Sequence, residues 1–397
     1  MLKQKNKAMV QRIYTKLLFT LLLVFGVQAV QAQDYFEPQT NITGYISTEF
    51  NYFDNLENYR VTAGSAVSEA GMLVTYMPTS SLRLKTVFVY RPEFEFDQML
   101  NEAFGELSMS KMVNFKVGRF LLPLSPMNTY YYAPVNTSAT LPILITNHEF
   151  FPLNMDGVSI NGAFGDDVKL KYDVFAGGYR NTTWLPTGAV GFFGSEVPYF
   201  KEQINSPYSI DRSYNNTYNT AIGAAVSFAY KQLVEVGASY FKPKQEEIPL
   251  DVTIPADALF PGFPETETVI DTKLDRPTYG FNAKVQYENT KIAGELWRGN
   301  LEIDPIVFVF MGNPAPLTAG GDVDLEGSFV ELSHRIEKFT PYVRYEDQLT
   351  DDIEYSRFTA GINYKPSFER TLKVEYMMYD HSSGNVNGLI GTLIYSF

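Results

Sequence analysis

What most constrains this chain is alternation: segments of about ten residues in which every second side chain is apolar and those between are charged or small. In 82–90, Leu82, Leu84, Thr86, Phe88 and Tyr90 take one side, while Arg83, Lys85 and Arg91 take the other. In 168–176, Val168, Leu170, Tyr172, Val174 and Ala176 oppose Lys169, Lys171 and Asp173. The pattern returns with Tyr279, Phe281, Ala283, Val285 and Tyr287 against Asn282, Lys284, Gln286 and Glu288. It returns again with Phe358, Ala360, Ile362 and Tyr364 against Arg357, Asn363 and Lys365. Strand side chains alternate between two faces, so each segment is a strand with one apolar and one polar face. Segment 218–230 carries Tyr218 and Tyr230 at the ends of its apolar face, as a membrane band between two aromatic girdles requires. Twelve residues at about 3.3 Å, tilted by roughly 45°, span about 28 Å, the height of such a band.

Such segments are expected near 41–53, 67–77, 81–91, 101–110, 113–119, 156–164, 168–178 and 217–230. A second set is expected near 233–241, 278–288, 291–298, 327–334, 339–346, 355–365, 370–379 and 387–397. Short links such as Pro78-Thr79-Ser80, Gly165-Asp166-Asp167 and Lys231-Gln232 alternate strictly with longer ones. The reading is an all-β, transmembrane, antiparallel up-and-down β-barrel of about sixteen strands, with lysines and arginines facing an aqueous interior. An exported β-sandwich also alternates, but seldom alternates its loop lengths so regularly, and it would bury such a row of bases.

The amino terminus agrees with a destination outside the cytoplasm. Residues 1–16 hold Lys3, Lys5, Lys7, Arg12 and Lys16 without an acid, an apolar run from Leu17 to Val27 follows, and Val30-Gln31-Ala32 offers small residues for cleavage. This is the pattern of a secretory signal peptide over 1–32, leaving 33–397 as one barrel domain. Eleven apolar residues rise only about 16 Å as a helix, too short to anchor in a core of about 30 Å. The chain has no Cys, which excludes disulfides, thiol nucleophiles and thiolate metal sites. Removing five of 32 bases leaves 27 against 45 acids, a formal −18, so no nucleic-acid partner is expected.

One strand leaves through Val117-Gly118-Arg119-Phe120-Leu121-Leu122-Pro123-Leu124-Ser125-Pro126, and pairing resumes at Gly157-Val158-Ser159-Ile160-Asn161-Gly162. These residues resemble the phosphate-selective porin O and P family, whose members share a "G-R/K-F-x-x-P-x" exit and a "G-V-x-x-x-G" return. The motif content is confined to about 115–164. The resemblance implies a long third loop folded into the lumen, passive diffusion of small hydrophilic solutes or ions, and a homotrimer in the outer membrane of a Gram-negative bacterium. The family's phosphate selectivity rests on rows of inward Arg and a Lys-rich mouth, which this chain carries only in part.

Arg83, Lys85, Lys116, Arg119, Lys169 and Lys171 are the candidate bases of a constriction, faced by third-loop residues Glu149, Phe150, Phe151, Tyr130, Tyr131 and Tyr132. Opposed rows of acids and bases across a narrow pore would sort solutes by charge and dipole. The competing expectation is that half of these bases pair with acids on neighbouring strands. Glu49, Glu102, Glu106, Asp173, Glu235, Glu288, Glu295 and Glu375 also fall on presumed inner faces. The inner face of 217–229 is small throughout, which suggests that something packs there, the third loop being one candidate.

An enzyme is not expected. His148, His334 and His381 are the only possible histidine bases, and none lies in a nucleophile or metalloprotease motif. No metal or cofactor is expected: Asp322-Val323-Asp324-Leu325-Glu326 lacks the spaced ligands and central Gly of a calcium loop. The alternative to a pore is a non-conducting barrel, plugged by its loops, that serves as a surface binding or structural protein. Long loops near 180–216, 242–277 and 299–326 match no recognition motif. The last segment sets Leu389, Gly391, Leu393, Tyr395 and Phe397 on one face. Leu393, Tyr395 and Phe397 resemble the carboxy-terminal signal read by the barrel-assembly machinery, so the terminal strand is expected to pair with 41–53 on a lipid-facing wall.

Overall fold

The computed structural model describes residues 36–53, 63–91, 98–129, 131–146, 150–180, 209–212, 218–244, 246–257, 261–304, 307–310, 313–316, 321–350, 353–381 and 384–397. The signal segment 1–32, Glu149, His148 and Tyr130 lie outside them. Every alternating segment forms a strand. The first half of the chain holds β1 (Gln39–Phe53), β2 (Ala63–Met77), β3 (Leu82–Tyr90), β4 (Leu100–Ser108), β5 (Asn114–Leu121), β6 (Asn154–Phe164), β7 (Val168–Arg180), β8 (Ser209–Arg212), β9 (Tyr218–Tyr230) and β10 (Val234–Pro243). The second half holds β11 (Glu246–Ile254), β12 (Thr266–Asp275), β13 (Thr278–Tyr287), β14 (Thr290–Ile303), β15 (Val307–Phe310), β16 (Asn313–Pro316), β17 (Gly321–His334), β18 (Phe339–Thr350), β19 (Ile353–Tyr364), β20 (Arg370–His381) and β21 (Gly384–Ser396).

Sixteen of these make the wall, each paired antiparallel with the next, and β1 pairs with β21 from Tyr45 opposite Ser396 to Phe53 opposite Gly388. Closure leaves no free edge, the only way a sheet can satisfy its backbone groups in lipid. The seam is completed at the last residue: Gly44 N donates to Phe397 O (2.8 Å) and Phe397 N to Gly44 O (2.9 Å). The Phe397 ring lies over Gly44, where a Cβ would stand 2.5 Å from it. Leu389, Leu393, Tyr395 and Phe397 are exposed on the outside as their parity requires, while Ile390 and Ile394 are buried inside.

The outer surface is a band of exposed Phe281, Val330, Val343, Ile362, Val374 and Met378, with stacked aromatic pairs Phe164/Tyr172 and Phe339/Tyr364 near the short turns. The remaining short strands lie within the long outer links. β8, β11 and β12 extend the sheet beyond the rim, β12 pairing with the end of β14, and β15 and β16 form a separate hairpin. Two outer links depart from strict alternation. β18 ends at Thr350 and β19 begins at Ile353, and β20 ends at His381 with β21 starting at Gly384, so these links are as short as the turns of the other rim.

The two motif glycines prove to be cross-strand partners. Gly118 lies opposite Gly157, and Gly157 opposite Gly177. Gly118 has φ +124°, and a Cβ at Gly157 would stand 2.7 Å from the Gly177 Cα. The row lets three backbones approach closely just where the chain leaves β5 to enter the lumen.

Candidate lumen site

The segment between β5 and β6 folds inside the barrel, carrying α1 (Pro126–Thr129) and α2 (Ile143–Thr146). A loop placed there has no sheet partner for its backbone groups, and an unpaired buried amide or carbonyl is costly. The wall supplies the partners with charges. Lys373 donates to the Ala133 and Ser138 carbonyls (2.8 and 2.9 Å), and Arg344 to the Thr140 carbonyl (3.0 Å) and the Ser138 hydroxyl (2.8 Å). Arg357 donates to the Leu141 carbonyl (2.6 Å). Carboxylates take the amides: Glu375 accepts from Ala139 and Thr140 (3.0 and 3.2 Å), Glu69 from Ala133 (3.2 Å) and Glu346 from Ile143, at the start of α2 (2.6 Å). Charges bonding helix or loop backbone in this way form stronger than ordinary hydrogen bonds.

These charges are also balanced among themselves. Arg344 meets Glu346 (2.6 Å) and Glu331 (3.5 Å), Arg357 meets Glu346 (2.7 Å), and all four side chains are almost wholly buried. On the adjoining β13 and β14, Glu295 accepts from Ser125 Oγ (2.7 Å) and Trp297 Nε1 (3.1 Å), and Thr278 Oγ1 donates to the Phe150 carbonyl (2.6 Å). Near β2 to β4, Tyr131 meets Arg91, and Tyr132 donates to Glu102 (2.7 Å). Burial and the Glu102 carboxylate push the Tyr132 phenol well above its ordinary pKa, so it stays a donor. The loop thus touches the wall on opposite sides at mid-height. A continuous apolar cluster joins Leu144, Ile145, Phe150 and Phe151 of the loop to Phe104, Phe175, Trp297 and Phe329 of the wall.

The expected constriction bases divide. Arg83 pairs with Glu106, its direct cross-strand partner, Lys85 with Glu102 (2.7 Å), and Lys171 with Glu235 (2.7 Å). All three face the lumen between the loop and the short turns. Lys116 also faces inward, over the Phe104 and Phe120 rings (5.1 and 5.3 Å), and Lys169 is exposed on β7. Among the described residues Lys116 and Lys169 make no ion pair. Arg119 is a correction: it shares its side of the sheet with the exposed Val117 and Val158, which is the outside. There it is held by Asp156 through two hydrogen bonds (2.6 and 2.8 Å). It stands three positions along from Lys116, an odd offset, so the two occupy opposite faces of one strand.

The small face of β9 receives Phe175 of β7, whose ring lies on Gly223. Asp322 and Asp324 belong to β17 and form no loop, and among the described residues no group of His, Asp and Glu is arranged to hold a metal. His334 Nδ1 lies 2.8 Å from Thr290 Oγ1 at two strand ends. The charges that hold the loop were the part missed: Arg344, Glu346, Glu331, Lys373 and Glu69 drew no notice in the sequence, although their parity marks them as inward.

No protein-family model and no curated protein matches the sequence. Solved structures do match. A loop L8 deletion mutant of OmpT, an outer membrane protein of Vibrio cholerae, is 12% identical with a TM-score of 0.58, over 91% of this chain and 99% of that one. An anion-selective porin from Comamonas acidovorans is 12% identical with a TM-score of 0.54, over 91% and 100%. OmpF of Salmonella typhi, in complex with daunomycin, is 11% identical with a TM-score of 0.53, over 90% and 97%. At such identities the likeness is one of fold: an outer-membrane barrel with the architecture of porins.

Proposed function

We propose that this barrel is a porin of the outer membrane of a Gram-negative bacterium, exported by residues 1–32 and passing small hydrophilic solutes by diffusion. The observation that carries this reading is the lumen-facing set Arg83, Lys85, Lys116, Lys169, Lys171, Glu235 and Lys284, polar and partly exposed inside a wall whose outside is apolar. Water must reach such charges, because burying them unsolvated is prohibitive. With acids and bases mixed, the selectivity expected is mild, and the phosphate preference of the resembling family is not adopted. A homotrimer is part of the reading, as is recognition of Leu393, Tyr395 and Phe397 by the barrel-assembly machinery. Catalysis is not.

A second reading has its own observation: the third loop touches opposite walls and shares a continuous apolar cluster with them. A barrel sealed at that level would be a surface binding or structural protein. Planar-bilayer recording of the purified protein separates the two. Stable ohmic steps are expected, and silence at folded-protein concentrations that insert would overturn the porin in favour of the sealed barrel.

A further inference from the structure

Between the loop and the short turns, the inner wall carries charges of alternating sign around half of its circumference. Arg83, Glu106, Lys116 and Ser159 lie in one cross-strand row from β3 to β6. Ser159 Oγ donates to Asp173 of β7 (2.7 Å). On the same strand Lys171 reaches Glu235 of β10 (2.7 Å), and Glu235 in turn meets Lys284 of β13, its direct partner (3.1 Å). The order along the belt is base, acid, base, acid, base, acid, base. Including the neighbouring Lys85–Glu102 pair and Lys169, six bases stand against four acids. Side chains here are accessible from the lumen: Arg83, Lys171 and Lys284 are 45%, 48% and 37% exposed.

We propose that the solutes this belt favours are dipolar ones that carry an ammonium and a carboxylate together, such as amino acids and short peptides. The inference rests on the porin reading and names its substrate class. Within a pair the opposite charges meet at 2.7 to 3.1 Å, and successive strands stand about 5 Å apart, so the roughly 7 Å between the ends of a dipeptide reaches from the acid of one pair to the base of the next. A zwitterion lying along the belt therefore meets an acid with its ammonium and a base with its carboxylate. A simple ion of either sign meets both attraction and repulsion within one or two strands, and the small net charge gives it little reason to accumulate. Low-dielectric walls on one side sharpen the local field and favour the dipole further.

Proteoliposome swelling with glycylglycine and with arabinose, an uncharged solute of similar mass, tests the proposal, alongside reversal potentials in a potassium chloride gradient. Glycylglycine is expected to enter at least two-fold faster than arabinose, with a reversal potential near zero. The double variant Glu106→Gln with Glu235→Gln, which keeps size and removes the acids, should abolish that advantage and move the reversal potential toward anions. Equal or slower entry of glycylglycine into wild-type vesicles overturns the proposal, as does strong preference for one ion sign. Failure of both solutes to enter, with no conductance, overturns the porin reading itself and the solute class with it.

Discussion

The inner wall of β17 to β20 and the part of β3 to β13 between the loop and the short turns use the same residue types to opposite ends. On β17 to β20, Arg344, Arg357, Lys373, Glu331, Glu346 and Glu375 are buried and bonded to a loop. On β3 to β13, Arg83, Lys171 and Lys284 are open to the lumen and paired only with each other's neighbours. The difference is the loop. Where it lies over the wall, a charge becomes a backbone cap that nothing else can replace; where it does not, the same charge is a solvated side chain whose value to folding is small.

The comparison predicts unequal costs. Arg344→Ala should have the largest effect, because it leaves Glu346 with Arg357 and Glu331 with the more distant Lys291 (3.9 Å) as their only ion-pair partners and frees the Thr140 carbonyl; removing one partner of a buried pair costs about 3–5 kcal/mol. Urea unfolding in detergent micelles would register it, and an unchanged midpoint would mean that the loop is not held as described. Glu375→Gln keeps one acceptor oxygen but loses the charge and should cost less, about 1–3 kcal/mol. Its sharper readout is faster amide exchange at Ala139 and Thr140, without change at Ile143. Breaking the open Lys171–Glu235 pair by Lys171→Ala should cost least, about 0.2–1 kcal/mol. On that side the sensitive measurement is electrical: Lys116→Glu with Lys169→Glu should leave the unfolding midpoint in place and shift the single-channel reversal potential toward cations. A fixed reversal potential would remove both lysines from the conducting path.

The wall was legible because its signal is local. Alternation within one strand decides which side Leu84 and Arg83 take, whatever the rest of the chain does, and so every expected strand is present. The same parity rule, applied between Lys116 and Arg119, would have put Arg119 outside. The final outer links were misjudged because alternation fades near strand ends, where Leu349 and Ile353 continue pairing through residues that read as loop. The loop's anchors were not legible at all. Ile143 meets Glu346 across 203 residues and Ala133 meets Lys373 across 240, and nothing in either segment names the other. Parity says that Glu346 points inward, but only the path of the loop decides whether it meets water or an amide.

The seam between β1 and β21 also governs time. Its hydrogen bonds join Gly44 to Phe397, the two ends of the barrel sequence, so the contact that completes the sheet has nearly the greatest separation the chain allows. Contacts of that kind form late and slowly. Until β21 has been synthesised through Phe397, both seam strands keep unpaired backbone edges, and in hydrocarbon each unsatisfied group costs several kcal/mol. A chain shortened by a single strand is therefore left with no intermediate resting state in the bilayer. Insertion must wait for both seam strands, and the alternating strands have to be kept apart in water for as long as that takes.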